Sequence, residues 1–217
     1  MTSNVLATRI QQALLAGACW IFSSPVGALD YDPIPLECLA ARADAIVRVH
    51  LPDKPTQPYR VDVVETLAGD EFRSSDPVFE PATWRGSAPL FFTREVLLFM
   101  RRNPDDRRWE VIGPSGEGRV QLDQRYAYGA GVGLPGASWV DVTSEQRTLR
   151  VQRVERRELV GAVSAMRRCF TFRQSGSRLV PLARCDATEL DRLQRDSALL
   201  AFLIPRLRQP QGLHCGK

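Results

Sequence analysis

The sequence predicts an α+β protein, with an antiparallel β-rich first part and a two-helix C-terminal extension that carries a disulfide hairpin. Three observations lead there. Tyr59-Arg60-Val61-Asp62-Val63 alternates apolar and charged residues, the period of a half-buried strand. Glu95 to Met100 holds a continuous apolar run, typical of a central strand covered on both faces. From Leu159 the period changes: Leu159, Val160, Val163 and Met166 share one face of a helix. The chain has 217 residues, 44% hydrophobic and 25% charged, which excludes wholly disordered, collagenous and coiled-coil classes.

The first 28 residues read as a secretory signal peptide. They hold one charge, Arg9, and no acid, and an apolar run extends from Ala13 to Phe22. Pro25 breaks the run, and Val26-Gly27-Ala28 offers small residues for cleavage after Ala28. About ten apolar residues are too few to span a bilayer, which needs about twenty. Leu15-Ala16-Gly17-Ala18 before Cys19 is the alternative, a loose lipobox with a lipid anchor on Cys19. Cleavage leaves four cysteines, Cys38, Cys169, Cys185 and Cys215, an even number suited to an oxidising periplasmic or secreted setting. Of the three pairings, Cys169–Cys185 is favoured because the residues between them read as a hairpin around Ser175-Gly176-Ser177. That leaves Cys38–Cys215 to tie the tail to the domain's start. No Cys-x-x-Cys pair is present, so a zinc ribbon is disfavoured and no metal or cofactor is expected.

The remaining elements follow in order. Residues 29–142 read as the β domain and 143–217 as a strand with the two-helix extension. Leu36 to Arg42 predicts a short helix, and Ala45 to Val49 a strand. Pro52, Pro55 and Pro58 mark a loop before the alternating strand, which stops at Gly69. Pro77 to Glu80 is a weaker strand, and Asn103-Pro104-Asp105-Asp106 a turn. Trp109 to Ile112 and Arg119 to Leu122 are strands around a Gly-Pro-Ser-Gly hairpin turn. Tyr128 to Ser138 reads as a glycine-rich loop, followed by strands at Trp139 to Val142 and Thr148 to Val154. A second helix starts at Asp186 with Glu189 three residues on, a capping box, and runs through Leu190, Leu193, Leu200, Ile204 and Leu207.

Cys38 to Val47 (with Ala43-Asp44-Ala45-Ile46), the strand Tyr59 to Gly69 and the strand Arg94 to Phe99 together resemble small exported bacterial β-barrel modules similar to netrin or metalloproteinase-inhibitor domains. Ala68 stands where such modules carry Lys. The resemblance covers about residues 38–122. It implies an OB-like β-barrel of five or more strands that binds through a face and its loops, and it suggests a protease inhibitor as one function.

Chemistry is sparse. Only His50 and His214 are available to a Ser-His or Cys-His enzyme, so an envelope hydrolase would have to use one of them. Gly131-Val132-Gly133-Leu134-Pro135-Gly136 matches a dinucleotide fingerprint formally, but the residues after it read as a strand where the motif needs a helix. Tyr126, Tyr128 and Trp139 flank that loop and are the candidate ligand-binding residues. Charge is uneven, with net −6 over 29–146 and net +9 over 147–217, and 27 of the 29 basic residues are arginine. Either the arginines offset the acidic β part within the molecule, or they meet an anionic partner. The leading expectation is a non-enzymatic exported binding protein whose partner is an envelope protein or anionic envelope polymer. Nucleic acid is disfavoured, because the helices lack interleaved aromatics.

Overall fold

The computed structural model describes residues 33–53, 58–69, 71–80, 93–113, 117–130, 132–143 and 148–215. The signal peptide, Cys19, Pro55 and residues 114–116 of the Gly-Pro-Ser-Gly turn lie outside these residues. Four helices and fourteen strands form among the described residues. Strand β1 (Ile34–Pro35) leads into α1 (Leu36–Arg42), as the sequence predicts. Strands β2 (Ala45–His50), β3 (Asp62–Ala68), β4 (Val78–Phe79), β5 (Glu95–Arg102), β6 (Trp109–Val111) and β7 (Arg119–Leu122) follow. Then come β8 (Tyr126–Gly129), β9 (Val132–Gly133), β10 (Ser138–Thr143) and β11 (Thr148–Glu155).

These strands form a nine-stranded sheet in the order β10-β11-β8-β7-β5-β2-β3, with β6 on β5 and β4 on β6. The sheet is open, which overturns the OB-like barrel. Edge strands β3 and β10 do not pair with each other. Instead, Ser74 covers part of the β3 edge, its Oγ accepting from the Val63 N–H at 3.2 Å. At the other end, β11 pairs with β8 only over 152–155, so the outer half of the β10–β11 hairpin projects past the sheet.

A barrel buries one face of its sheet against itself; here separate elements cover each face. Ile46, Leu97, Phe99, Val120 and Leu122 pack with α1 and the later helices in one core. Ala45, Val47, Val49, Val96, Leu98 and Met100 point the other way, into a second core with Tyr59, Phe72, Val78 and Trp109. The continuous apolar run of β5 therefore does what its composition predicts: alternate residues serve two cores. Strands β6 and β7 do not pair as a hairpin. Both lie against β5, β6 beside Met100–Arg102 and β7 beside Glu95–Leu98.

The glycine-rich segment is more ordered than a loop, since β9 pairs in parallel with β1. Helix α2 (Arg156–Cys169) follows β11 directly. Strands β12 (Phe170–Ser175) and β13 (Arg178–Ala183) form the expected hairpin, tied by Cys169–Cys185 with Cα atoms 4.8 Å apart. The second helix of the extension proves to be two, α3 (Ala187–Asp196) and α4 (Ala198–Leu207), so α2 to α4 make three helices rather than two. The break is at Ser197, which adopts an extended conformation and caps α4, its Oγ accepting from Leu200 N–H at 3.0 Å. Glu158 on α2 fixes that junction, accepting from Ser197 Oγ at 2.8 Å and Leu199 N–H at 3.0 Å. The N-cap half of the capping box forms, with Glu189 N–H donating to Asp186 Oδ1 at 2.8 Å, while the Glu189 carboxylate accepts from Arg168. Strand β14 (Leu213–His214) then joins β13, and Cys215 bonds to Cys38, 177 residues away. No helix among the described residues is long and apolar enough to cross a membrane.

Candidate functional site

Where β2, β3 and β5 meet the start of α2, four charged side chains form a chain. Arg48 lies opposite Glu65 in the β2–β3 ladder and donates from Nε to its Oε2 at 3.0 Å. Arg48 Nη1 also donates to Glu95 Oε1 at 2.8 Å. Arg156, the first residue of α2, grips the same Glu95 in bidentate fashion, with Nη1 to Oε2 at 2.9 Å and Nη2 to Oε1 at 2.5 Å. Its Nη1 also donates to the Asp123 carbonyl at 2.8 Å. Partial burial works to lower the Arg48 pKa, but the bonds and charges of Glu95 and Glu65 outweigh it and raise the pKa.

Above this chain opens a groove of about 690 Å³, lined by Arg48, Glu65, Arg125, Glu155, Arg156 and Arg157, with Gln124 and Val160. Arg48 and Arg156 are held by the carboxylates beneath them. Arg125 stacks on the Tyr126 ring at 5.1 Å and has no carboxylate within ion-pair reach among the described residues. Arg157 pairs with Glu155 at 3.3 Å, the one carboxylate within its ion-pair reach among the described residues, and its side chain is 90% exposed. Two guanidiniums on the rim thus remain open to solvent.

The structure unites two of the three aromatic residues singled out from the sequence. Tyr126 and Tyr128 contact edge to face at 6.4 Å, next to the groove. The Tyr128 hydroxyl donates to Asp123 Oδ2 at 2.6 Å. Burial and that bond push the Tyr128 pKa up to about 12. Burial works to raise Asp123 as well, but the Tyr128 hydroxyl and the amides of Tyr126 and Arg125 prevail and hold its carboxyl below the usual range. Trp139 does not join them. In the ladder it faces Gln152, whereas Tyr128 faces Arg153, so one residue of offset places them on opposite faces. Trp139 is 53% exposed on its own side, with the Arg150 guanidinium 5.9 Å from its ring.

Both histidines are exposed at strand ends. Neither forms a hydrogen bond or ion pair through its side chain among the described residues. Cys38 lies buried within α1, bonded to Cys215. The carboxylate of Glu189 lies within 4.8 Å of the Cys169 and Cys185 sulfurs, but those sulfurs are bonded to each other. After Gly131–Gly136 the chain enters β10, a strand, as the sequence indicates.

Sequence reasoning missed a buried polar cluster on the opposite face. Tyr59 donates to Glu80 Oε1 at 2.6 Å, and Arg119 donates to Glu80 Oε2. Glu117 and Gln121 are buried beside Arg119 on the same strand or its approach. Burial, followed by the Glu80 charge and hydrogen bond, pushes the Tyr59 phenol well above its ordinary range. The only sequence signal is Arg119-Val120-Gln121, polar residues at the period-2 positions that face Leu98 and Val96 once β7 pairs with β5.

No protein-family model, curated protein or solved structure matches this chain.

Proposed function

We propose that this chain is an exported, non-enzymatic binding protein that seats an anionic group of an envelope component in the groove between Arg48 and Arg157. The observation that carries the reading is the arginine rim. Arg125 and Arg157 project over a floor whose own arginines are already neutralised by Glu95 and Glu65. A planar guanidinium suits carboxylate or phosphate recognition, and the floor pairs keep the groove's shape. Tyr126 and Tyr128 brace this wall through Asp123, which also receives the backbone bonds that place Arg125. Two disulfides support residence in an oxidising compartment.

The test is a pull-down from envelope extract with the wild-type chain and an Arg125→Glu/Arg157→Glu variant. The expected result is a component retained by wild type at low salt, released at about 0.5 M salt, where charges are screened within a few ångströms, and lost by the variant. Equal recovery by both proteins, or none at any salt, would overturn the reading.

A further inference from the structure

The arginines of the C-terminal part fall into two groups. Arg156, Arg168, Arg192, Arg206 and Arg208 each lie within ion-pair reach of a carboxylate. Among the described residues Arg150, Arg153, Arg167 and Arg195 do not, and neither do three on or next to the β12–β13 hairpin, Arg173, Arg178 and Arg184. Pairing in the β12–β13 hairpin explains where these three go. Thr171 lies opposite Leu182, Arg173 opposite Val180 and Ser175 opposite Arg178. Opposed residues share a face, so Arg173, Arg178, Val180 and Leu182 stand on one side of the hairpin. The ladder continues through Arg184, whose N–H donates to the Cys169 carbonyl at 2.7 Å, and the alternation puts Arg184 on that side too. His214 joins them opposite Arg178.

On the other side of the hairpin Phe170, Leu179 and Leu213 lie in the core with Phe172 packed against it, while Gln174 and Ala183 at its ends are exposed. The outward side is tied at its base by Cys169–Cys185. Its centre is apolar, with Leu182 45% exposed and Val180 half-buried, and the ladder positions around it carry arginine and no acid.

We infer that this outward face of the β12–β13 hairpin docks on an anionic lipid surface. A polymer or acidic protein would need only the charges. An exposed leucine between arginines on one flat face suits a headgroup layer, where the apolar side chain enters the acyl boundary and the guanidiniums reach lipid phosphates. The proposal is independent of the groove, which lies at the start of α2 on different residues.

The experiment is sedimentation of the full chain with vesicles of equal parts phosphatidylglycerol and phosphatidylcholine, against pure phosphatidylcholine vesicles. Wild type is expected to sediment with the anionic vesicles only, and less at high salt. Arg173→Glu/Arg184→Glu is expected to weaken binding by well over tenfold, since each arginine near such a surface is worth about fivefold. Leu182→Ser is expected to weaken it at every salt concentration. Arg150→Glu, on the β10–β11 hairpin, is expected to sediment as wild type. An unchanged near-ultraviolet spectrum shows that each variant folds. Equal binding to both vesicle types, no binding at all, or an equal loss in the Arg150 variant overturns the inference. So does capture by soluble polyglutamate with no preference for vesicles.

Discussion

Arg119 and Glu80 meet in the interior of the sheet, with only 7% and 2% of their side-chain surfaces exposed. Tyr59 adds a second donor to the same carboxylate. A charge pair this deep is neutral or weakly stabilising as a unit, but costly to split. Glu80→Gln should destabilise by about 3–5 kcal/mol, because it removes one charge of a buried pair. Tyr59→Phe removes one bond to a charged acceptor and should cost about 1.5–3 kcal/mol. A double replacement, Glu80→Leu with Arg119→Met, should recover much of the loss. Urea unfolding of the three variants checks the order, and a double variant weaker than Glu80→Gln would contradict it.

The two disulfides close loops of very different length, with sequence separations of 177 and 16. The chain-entropy model assigns about 5 kcal/mol to the first and about 3 kcal/mol to the second. Replacing Cys38 and Cys215 by serine should therefore lower the melting temperature more than replacing Cys169 and Cys185. Thermal unfolding of the two double variants tests this, with non-reducing mass mapping to confirm the surviving bond.

Gly69 ends β3 with φ +81°, and a Cβ there would stand 2.1 Å from the Asp44 carbonyl oxygen and 2.7 Å from Ala45 Cα. Both obstacles are backbone, so nothing can swing aside. Gly69→Ala should cost more than about 2 kcal/mol. Gly176, in the β12–β13 turn, has φ +58° but open space around it. Gly176→Ala should cost only the left-handed penalty of about 1–2 kcal/mol. Chemical denaturation of the pair separates steric clash from backbone preference.

Two carboxylates are held below their ordinary range. In Glu110 the Asn103 bond leads, burial opposes it, and the bond and charge of Arg108 add to the lowering. In Asp123 burial is outweighed by bonds from Tyr128, Tyr126 and Arg125. A depressed folded pKa contributes stability above the unfolded value, near 4, and that stability is lost as pH falls through the folded value. Stability should therefore fall below about pH 4, and Asp123→Asn should flatten the decline. Tyr128 acts at the opposite end: its raised pKa contributes below about pH 10 and is lost as pH climbs toward about 12. Denaturation midpoints across this range, for wild type and Asp123→Asn, provide the check.

Local patterns are largely legible in the sequence. The α1 helix, the strand expected from Tyr59 and formed from Asp62 as β3, the two-core run of β5, the N-cap at Asp186 and the hairpin between Cys169 and Cys185 all depend on neighbours within a few residues. The α3–α4 break is hidden, because Leu190, Leu193, Leu200 and Ile204 keep a helical spacing across Ser197. What breaks the helix is Glu158, which comes from another element and competes for the Ser197 hydroxyl and the Leu199 amide. Of the candidate site, Tyr126 and Tyr128 are visible as flanks of a loop. The groove is not, because Arg48, Glu95 and Arg156 lie far apart in sequence and meet only through strand pairing.

Sequence alone determined the α1 helix, the central β5 strand, the α2 helix and the hairpin between Cys169 and Cys185. Periodicity and capping act over short ranges, and they survive in any fold the chain adopts. The tertiary structure decided that the sheet stays open, that Trp139 parts from the tyrosines, and that Arg119 is buried against Glu80. Each depends on register between strands distant in the chain, and a shift of one residue in pairing sends every side chain to the opposite face.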